Sequence, residues 1–416
     1  MDKTMDNSVR GAVQARTADD TLPQAADSRA LERGAPSGKG IAPRIKARLD
    51  RQVRENARPV LSICIPTYNR APVLRACLNK LLSYPVQGLE FVVCDDASGD
   101  DTAELLKTFS DPRLSVFRNA YNVGASYNSH LSFSRAKGKY ALLISDEDDL
   151  FPEALEELVF FFRQREDIAV YIAGGIRGEN DIKSFPAREY PDGFSALWQL
   201  GYCTRYMSGV IFQTDLYRRV IGEVSYEDAP RVFNVYSFMY AMAKLFFFGK
   251  VITSNQMIFR ETRFVPTTLT NNNRDNMDVF YFEPEGRRSQ IRCSVRSLAQ
   301  LPITREQKIS MLCKIYYDSA DVMLRSFNPA YLPRYQEMIP AHYQQFLSHM
   351  KAENIADALV RLEKALDEEA EVCGICSAAE RKSQPDQDPE LSAFVAAREA
   401  KLAQLLQTIE ASHAEA

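Results

Sequence analysis

A chain of 416 residues is long enough for two or three domains, and a composition of 45% hydrophobic and 25% charged residues is that of a soluble globular protein. Its net charge of −4 lacks the basic excess that nucleic-acid binding calls for, so no nucleic-acid partner is expected. No apolar run reaches the roughly 20 residues that span a bilayer: the best stretch, 238–252, is broken by Lys244 and Lys250.

The first residues are polar, with no apolar leader. Cys64, Cys77 and Cys94 lie inside apolar runs, where thiols behave as small hydrophobes in a reducing compartment. The expectation is a cytoplasmic protein, with peripheral contact at the inner face of a membrane left open.

Residues 1–58 read as a disordered linker without sustained period. It carries one short basic helix through Ile45, Leu49 and Val53. The pattern changes at residue 59. Residues 60–65 form an apolar β-rich run that Pro66 is expected to end. Leu74, Cys77, Leu78 and Leu81 then recur at helical spacing over 72–82. A second strand covers 91–94, and Asp101 with Glu104 is spaced as a helix-capping pair.

A third strand covers 114–117. A helix follows over 125–136, stopped by Gly138, and then an apolar strand at 140–144. Pro152 suits the first turn of a helix that buries Leu155, Leu158, Val159 and Phe162, ahead of a fifth strand at 168–172. Further on, 207–212 reads as a strand and 234–248 as an apolar helix closed by Gly249. Val251 and Ile252 start another strand.

Beyond Asn271 the chain turns polar and then helical, with amphipathic helices over 353–371 and 390–412. In the last, Val395, Leu402 and Ile409 repeat at heptad spacing and offer a seam for a homo-oligomer. Strands alternating with helices predict an α/β fold with a doubly wound, mostly parallel sheet flanked by helices. That domain is placed at 59–265, with a helical region over 266–416.

Such sheets bind ligands beyond the carboxyl ends of their strands. The first strand is followed by Thr67, Tyr68, Asn69 and Arg70, and the second by Asp95 and Asp96. The third leads to Arg118, Asn122 and Gly124, and the fourth to Asp146, Glu147, Asp148 and Asp149. Four consecutive carboxylates repel one another and need a counter-charge. A hard divalent cation supplies one through oxygen ligands, typically using one or two carboxylates and a substrate diphosphate. The competing reading is a solvated acidic loop, with Asp149 near a helix N-terminus. Asp95 and Asp96 suit acceptance from a base N–H or a ribose hydroxyl, because Asp100 and Asp101 suffice for the turn and cap.

These segments, S-I-C-I-P-T-Y-N-R at 62–70, F-V-V-C-D-D-A-S-G-D-D-T at 91–102, R-N-A-Y-N-V-G at 118–124 and A-K-G-K-Y-A-L-L-I-S-D-E-D-D-L-F-P at 136–152, resemble the inverting glycosyltransferases of family 2, which have the GT-A fold. The S-D-E-D-D-L form is similar to the abequosyltransferase-like branch of surface-polysaccharide enzymes. The resemblance implies a metal-dependent hexosyl- or deoxyhexosyltransferase. It would move sugar from a nucleotide-diphosphate sugar to a glycan or lipid-linked glycan in bacterial-type surface-polysaccharide synthesis.

It also implies roles. Thr67, Tyr68, Asn69, Asp95 and Asp96 would contact the nucleotide, with Arg70 and Arg118 in reach of it. Asn122 and Gly124 would shape the loop near the base. Asp146 and Asp148 would be the D-x-D pair. Asp148 would bind Mn²⁺ or Mg²⁺, and Asp146 would touch the ribose or share the metal. The base that deprotonates the acceptor would be Asp228, with Glu227 second. Residues 207–212 would border the acceptor, and 260–270 would form a flap over the donor.

The alternative from another class is a non-catalytic nucleotide-sugar-binding or scaffold protein. A nucleotidyltransferase would want a Gly-rich basic loop after the first strand, which Thr67-Tyr68-Asn69-Arg70 is not. Cys373 and Cys376 form a C-x-x-C without the second pair of a zinc site.

Overall fold

The computed structural model describes residues 58–177, 181–183, 185–202, 207–224, 237–261, 283–333, 336, 343–352 and 354–414. The lead-in helix expected within 1–58 lies outside these residues, apart from Arg58.

Two strands set the frame. Strand β1 (Leu61–Thr67) and strand β2 (Leu89–Asp95) are buried almost throughout and pair in parallel, from Leu61 opposite Leu89 to Thr67 opposite Asp95. Their side chains alternate between two cores, as a period of two requires. Ile63 and Ile65 enter one apolar cluster with Leu74, Leu78, Leu155 and Phe162; Cys64, Val92 and Cys94 enter another. Cover on both faces is why these strands read as continuous apolar runs.

Helix α1 (Ala71–Leu82) joins β1 to β2. Helix α2 (Thr102–Lys107) leads to β3 (Leu114–Arg118), and α3 (Ala125–Arg135) leads to β4 (Tyr140–Leu143). The short β5 (Asp149–Leu150) precedes α4 (Pro152–Arg163) and the long β6 (Ile168–Arg177), which pairs with β7 (Asp181–Lys183). After β8 (Arg188–Glu189) come α5 (Gly193–Leu200), β9 (Val210–Gln213), α6 (Thr214–Ile221), α7 (Ser237–Leu245) and β10 (Lys250–Glu261).

The sheet order is β3-β2-β1-β4-β9-β6-β10-β5. It is mostly parallel, as expected. The exceptions are β9, antiparallel to both β4 and β6; β5 and β8, antiparallel to β10; and β7, antiparallel to β6.

Several local expectations are corrected. Pro66 does not end β1. The Cys64 carbonyl accepts from Ile144 N on the β4 side, and pairing with β4 stops there. Pro66 faces the same side two residues on, past the end of β4, so its missing N–H removes no ladder bond. Asp101 makes no side-chain cap. Asp100 does that work instead, accepting from Thr102 N and Ala71 N at 3.0 Å each, which ties the starts of α2 and α1 together. Burial opposes charge on Asp100, but these donors outweigh it and lower its pKa.

Gly138 is not the helix stop, because α3 ends at Arg135. A Cβ on Gly138 would lie 2.6 Å from Ser62 Oγ, so glycine is required by the crossing over β1. Ser62 Oγ accepts from Gly138 N and donates to the buried Glu90. The strand expected at 207–212 begins only at Val210, after a turn in which Gly209 has φ +98°.

The later chain is helical: α8 (Pro284–Ala299), α9 (Arg305–Phe327), α10 (Tyr343–Ala352), α11 (Ile355–Val372), α12 (Ala378–Ser383) and α13 (Pro389–Ala414). Ile291, Val295, Leu312, Met323, Leu362 and Ile409 share one buried cluster with Val170 and Phe212 of the sheet and Phe238 of α7.

The heptad seam is a second correction of consequence. Leu402 and Ile409 are buried inside the chain, 8% and 0% exposed. Polar contacts also join α13 to α9: Lys401 pairs with Asp321 at 2.9 Å, and Tyr317 Oη donates to Glu399 at 3.0 Å. Leu402 and Ile409 therefore serve intramolecular packing, while Val395 of the same spacing is half-buried.

Candidate active site

The polar groups that follow β1, β2, β3 and β4 meet at one edge of the sheet. At the β1 exit, Asn69 has φ +51°, a left-handed conformation that asparagine tolerates better than most residues. Two bonds hold it there. Its N–H donates to Ser98 Oγ at 2.8 Å, and its Oδ1 accepts from Gly99 N at 2.6 Å. Ala97 in the facing loop is also left-handed, with φ +58°. Two unfavourable conformations in adjoining loops mark a place where shape is over-determined. Tyr68 lies half-buried between Thr67 and Asn69.

At the β2 exit both aspartates are buried and bonded within the protein. Asp95 accepts from Ser98 N at 3.0 Å and pairs with the Arg118 guanidinium, which also donates to Ser98 O at 2.8 Å. Asp96 Oδ1 accepts from Asn119 Nδ2 at 2.8 Å and Val123 N at 2.9 Å; Oδ2 accepts from Gly124 N at 3.0 Å. Burial raises the Asp96 pKa, and these donors offset part of the rise. Asp96 thus moulds the 119–124 loop. Asn122 Oδ1 accepts from Gly124 N in the same turn, and Gly124, at φ +86°, opens α3.

The acidic run after β4 is divided among different partners. Asp146 Oδ2 accepts from Thr67 Oγ1 at 2.7 Å, and Oδ1 lies 3.0 Å from Arg70 Nη1. Burial pushes the Asp146 pKa up to about 6; Arg70 and Thr67 pull it back, while Glu147 adds to the rise. Arg70 Nη2 pairs with Glu147. Asp148 accepts from Ser208 Oγ at 2.5 Å, and Ser208 Oγ accepts from Ser145 N at 3.1 Å. Asp149 pairs with Lys80 at 2.7 Å and sits opposite Arg260 in the β5–β10 ladder. The counter-charge expected of a metal alone is therefore supplied in part by Arg70 and Lys80.

The donor set still fits a divalent ion of one kind. A hard ion bound with a substrate diphosphate needs one or two protein carboxylates, the rest being phosphate and water oxygens. Asp146 and Asp148 are two buried carboxylates on one turn, 3% and 2% exposed. Among the described residues no group of three or more His, Cys, Asp or Glu could hold an ion unaided. An ion here would rely on the diphosphate for its remaining oxygens.

Thr67, Asn69, Arg70, Asp95, Asp96, Arg118, Asn122, Gly124, Asp146 and Asp148 are thus gathered on these joined loops. Asp228 and Glu227 lie outside the described residues, as does 262–270 of the expected flap. The nearest described link to the former is Val224 O, which accepts from Tyr127 Oη at 2.6 Å. Ser98, Asn119 and Ser208 were missed as specific contributors. Each is a common polar residue whose partner is far away in sequence; Ser208 stands 60 residues from Asp148. All described cysteines are free, Cys373 and Cys376 included.

Comparison with known proteins gives a consistent picture. Residues 62–215 match the family described as Glycosyl transferase family 2. A GalNAc(5)-diNAcBac-PP-undecaprenol beta-1,3-glucosyltransferase of Campylobacter jejuni is 31% identical over 104 residues, covering 24% of this chain and 34% of that protein. Glycosyltransferase GlyG of Streptococcus pneumoniae is 30% identical over 115 residues, covering 27% and 38%. The chain therefore spans under two-fifths of the length of these two relatives. Among solved structures, S. aureus TarS residues 1–349 in complex with UDP-GlcNAc superimposes with a TM-score of 0.50 at 15% identity, over 86% of this chain and 92% of that one. At that identity the likeness concerns the fold.

Proposed function

The chain carries a glycosyl transferase family 2 domain, and on that premise we propose that it transfers a hexosyl or deoxyhexosyl unit, with inversion, from a nucleoside-diphosphate sugar to a glycan or lipid-linked glycan of a bacterial-type surface polysaccharide. One observation carries the reading. Two buried acidic residues of the β4 exit are held by separate partners, Asp146 by Thr67 and Arg70 and Asp148 by Ser208. They sit beside a loop pair stapled by Asn69 and Ser98.

In this reading Thr67, Tyr68 and Asn69 line the nucleotide on the β1 side. Asp95 and Asp96 border it from the β2 side, together with Arg118 and the 119–124 loop that Asp96 holds. Asp146 and Asp148 would hold Mn²⁺ or Mg²⁺. When bound, such an ion supplies Lewis-acid stabilisation of the diphosphate that departs. The acceptor oxygen forms the new bond at the anomeric carbon as the bond to the diphosphate oxygen breaks. The hydroxyl proton passes to a carboxylate, for which Asp228 and then Glu227 are proposed.

The Campylobacter jejuni relative is named for a substrate on undecaprenol diphosphate, which supports a lipid-linked acceptor. No described helix is long and apolar enough to cross a membrane. We further propose that the protein works at the inner, cytoplasmic face as a peripheral partner of the bilayer, where a lipid-linked acceptor would lie.

The test is a panel of UDP-, GDP- and TDP-sugars with Mn²⁺ or Mg²⁺, read by thermal shift and donor hydrolysis. One donor should stabilise the protein, and Asp148→Ala should abolish that stabilisation. Stabilisation by no donor, or an equal effect in Asp148→Ala, defeats the reading. Stabilisation without turnover on acceptor extracts favours a non-catalytic sugar-nucleotide binder.

A further inference from the structure

Arg70 connects two carboxylates of the β4 exit through one guanidinium, with Nη1 3.0 Å from Asp146 and Nη2 paired to Glu147. Its side chain is 16% exposed. The backbone beneath it is pinned: Asn69 is fixed by Ser98 and Gly99, and the Arg70 carbonyl accepts from Leu74 N as α1 begins. The root of the side chain is therefore fixed, and a change of partner by the guanidinium requires only rotation about its side-chain torsions.

A divalent ion approaching Asp146 and Asp148 meets a positive group already on Asp146. Like charges a few ångströms apart disfavour one another. A diphosphate presents the opposite case. The planar guanidinium fork matches phosphate oxygens as well as it matches a carboxylate. A single side chain is thus placed to be repelled by one ligand and drawn by the other.

We propose that Arg70 is the resident counter-ion of the acidic exit, and that it leaves Asp146 and Glu147 for the diphosphate when a divalent ion and a nucleotide bind together. This rests on the donor-and-metal reading above and deepens it. Arg70 becomes the link through which each ligand tightens the other, and such coupling is reciprocal for binding.

The experiment measures free Mn²⁺ by the electron paramagnetic resonance signal of the aqueous ion. It uses wild type, Arg70→Met and Arg70→Lys, each alone and with UDP, GDP or TDP, retaining whichever nucleotide binds. In wild type the nucleotide should tighten Mn²⁺ at least about tenfold, within the ~5–150-fold span of ordinary couplings. In Arg70→Met, Mn²⁺ alone should bind about tenfold tighter than in wild type, and the gain from nucleotide should shrink by a similar factor.

Arg70→Lys keeps the charge and loses the fork. Mn²⁺ alone should bind it as weakly as wild type, with a smaller gain from nucleotide. Far-UV circular dichroism confirms that each variant folds. Unchanged or weaker Mn²⁺ binding in Arg70→Met overturns the proposal. If that variant does not fold, a wild-type nucleotide gain in Arg70→Lys overturns it. Should neither Mn²⁺ nor any nucleotide bind wild type, the donor-and-metal reading fails together with this one. Should both bind and couple identically in all three proteins, that reading stands and only the role of Arg70 falls.

Discussion

His130 offers a direct test of how the sheet is covered beside the candidate site. It lies on α3, 2% exposed, with Nδ1 2.9 Å from Tyr217 Oη and its ring stacked on Tyr127 at 5.7 Å. Burial lowers its pKa from 6.5 to about 4, because the imidazolium would lose its hydration there. Between those values the unfolded chain binds a proton that the native protein refuses, so stability rises with pH across the window. The contribution is intact above about pH 6.5, falls as pH drops, and is fully lost near pH 4.

A shift of that size corresponds to ~3 kcal/mol in total, and to ~2 kcal/mol between pH 7 and pH 5. The assay is urea unfolding of wild type and His130→Gln at pH 7, 6 and 5. The variant loses the ring contacts and should be less stable at pH 7, but its decline toward pH 5 should be shallower by that ~2 kcal/mol. Parallel declines in the two proteins would refute the argument, since they would mean that His130 titrates alike in both states.

Asp96→Ala removes an acceptor shared by three donors; Gly124 N retains Asn122 Oδ1 and Asn119 Nδ2 retains Asn128 Oδ1, so the main loss falls on Val123 N. It should destabilise the protein by about 1–3 kcal/mol, and should raise KM for the sugar nucleotide by loosening the 119–124 loop; denaturation and initial-rate kinetics check both effects. Ser208→Ala removes the hydroxyl that orients Asp148. The expected result is a 10–100-fold loss of Mn²⁺ affinity, as for other groups that steer a ligand from behind, measured by titration at constant nucleotide. Ile409→Ala cuts a fully buried side chain from α13 and should cost about 2–5 kcal/mol, with an unchanged elution volume in size-exclusion chromatography. A shift to a smaller species would restore the oligomer seam.

Much of the sheet was legible because β1, β2 and β4 are apolar on both faces, a signal local to each strand. The exits of β1, β2 and β4 were legible for the same reason, since each directly follows such a strand; β3 is only partly buried and marked its own exit less sharply. What failed depended on distance along the chain. Nothing near Val210 reveals that β9 inserts antiparallel between β4 and β6. The Asp101–Glu104 pattern suits a cap, yet Asp100 is the residue that reaches two helix starts at once.

The acidic run correctly predicted a need for positive charge. Its spacing could not show that Arg70, 76 residues upstream of Asp146, already meets part of that need. Heptad spacing in α13 marked which side chains are buried but not what buries them. Their partner is α9 of the same chain.

The buried cluster that runs from the sheet into α8, α9, α11 and α13 bears on how the protein can be dissected. The stretch recognised as the family's own, 62–215, is a stretch of sequence rather than a free-standing body. Trimmed to those limits, the polypeptide would lose the part of the cluster around Val170 and Phe212 that residues beyond 215 supply, Tyr217 and Phe238 among them. A recombinant fragment intended for crystallography or enzymology should therefore be carried through Ile409.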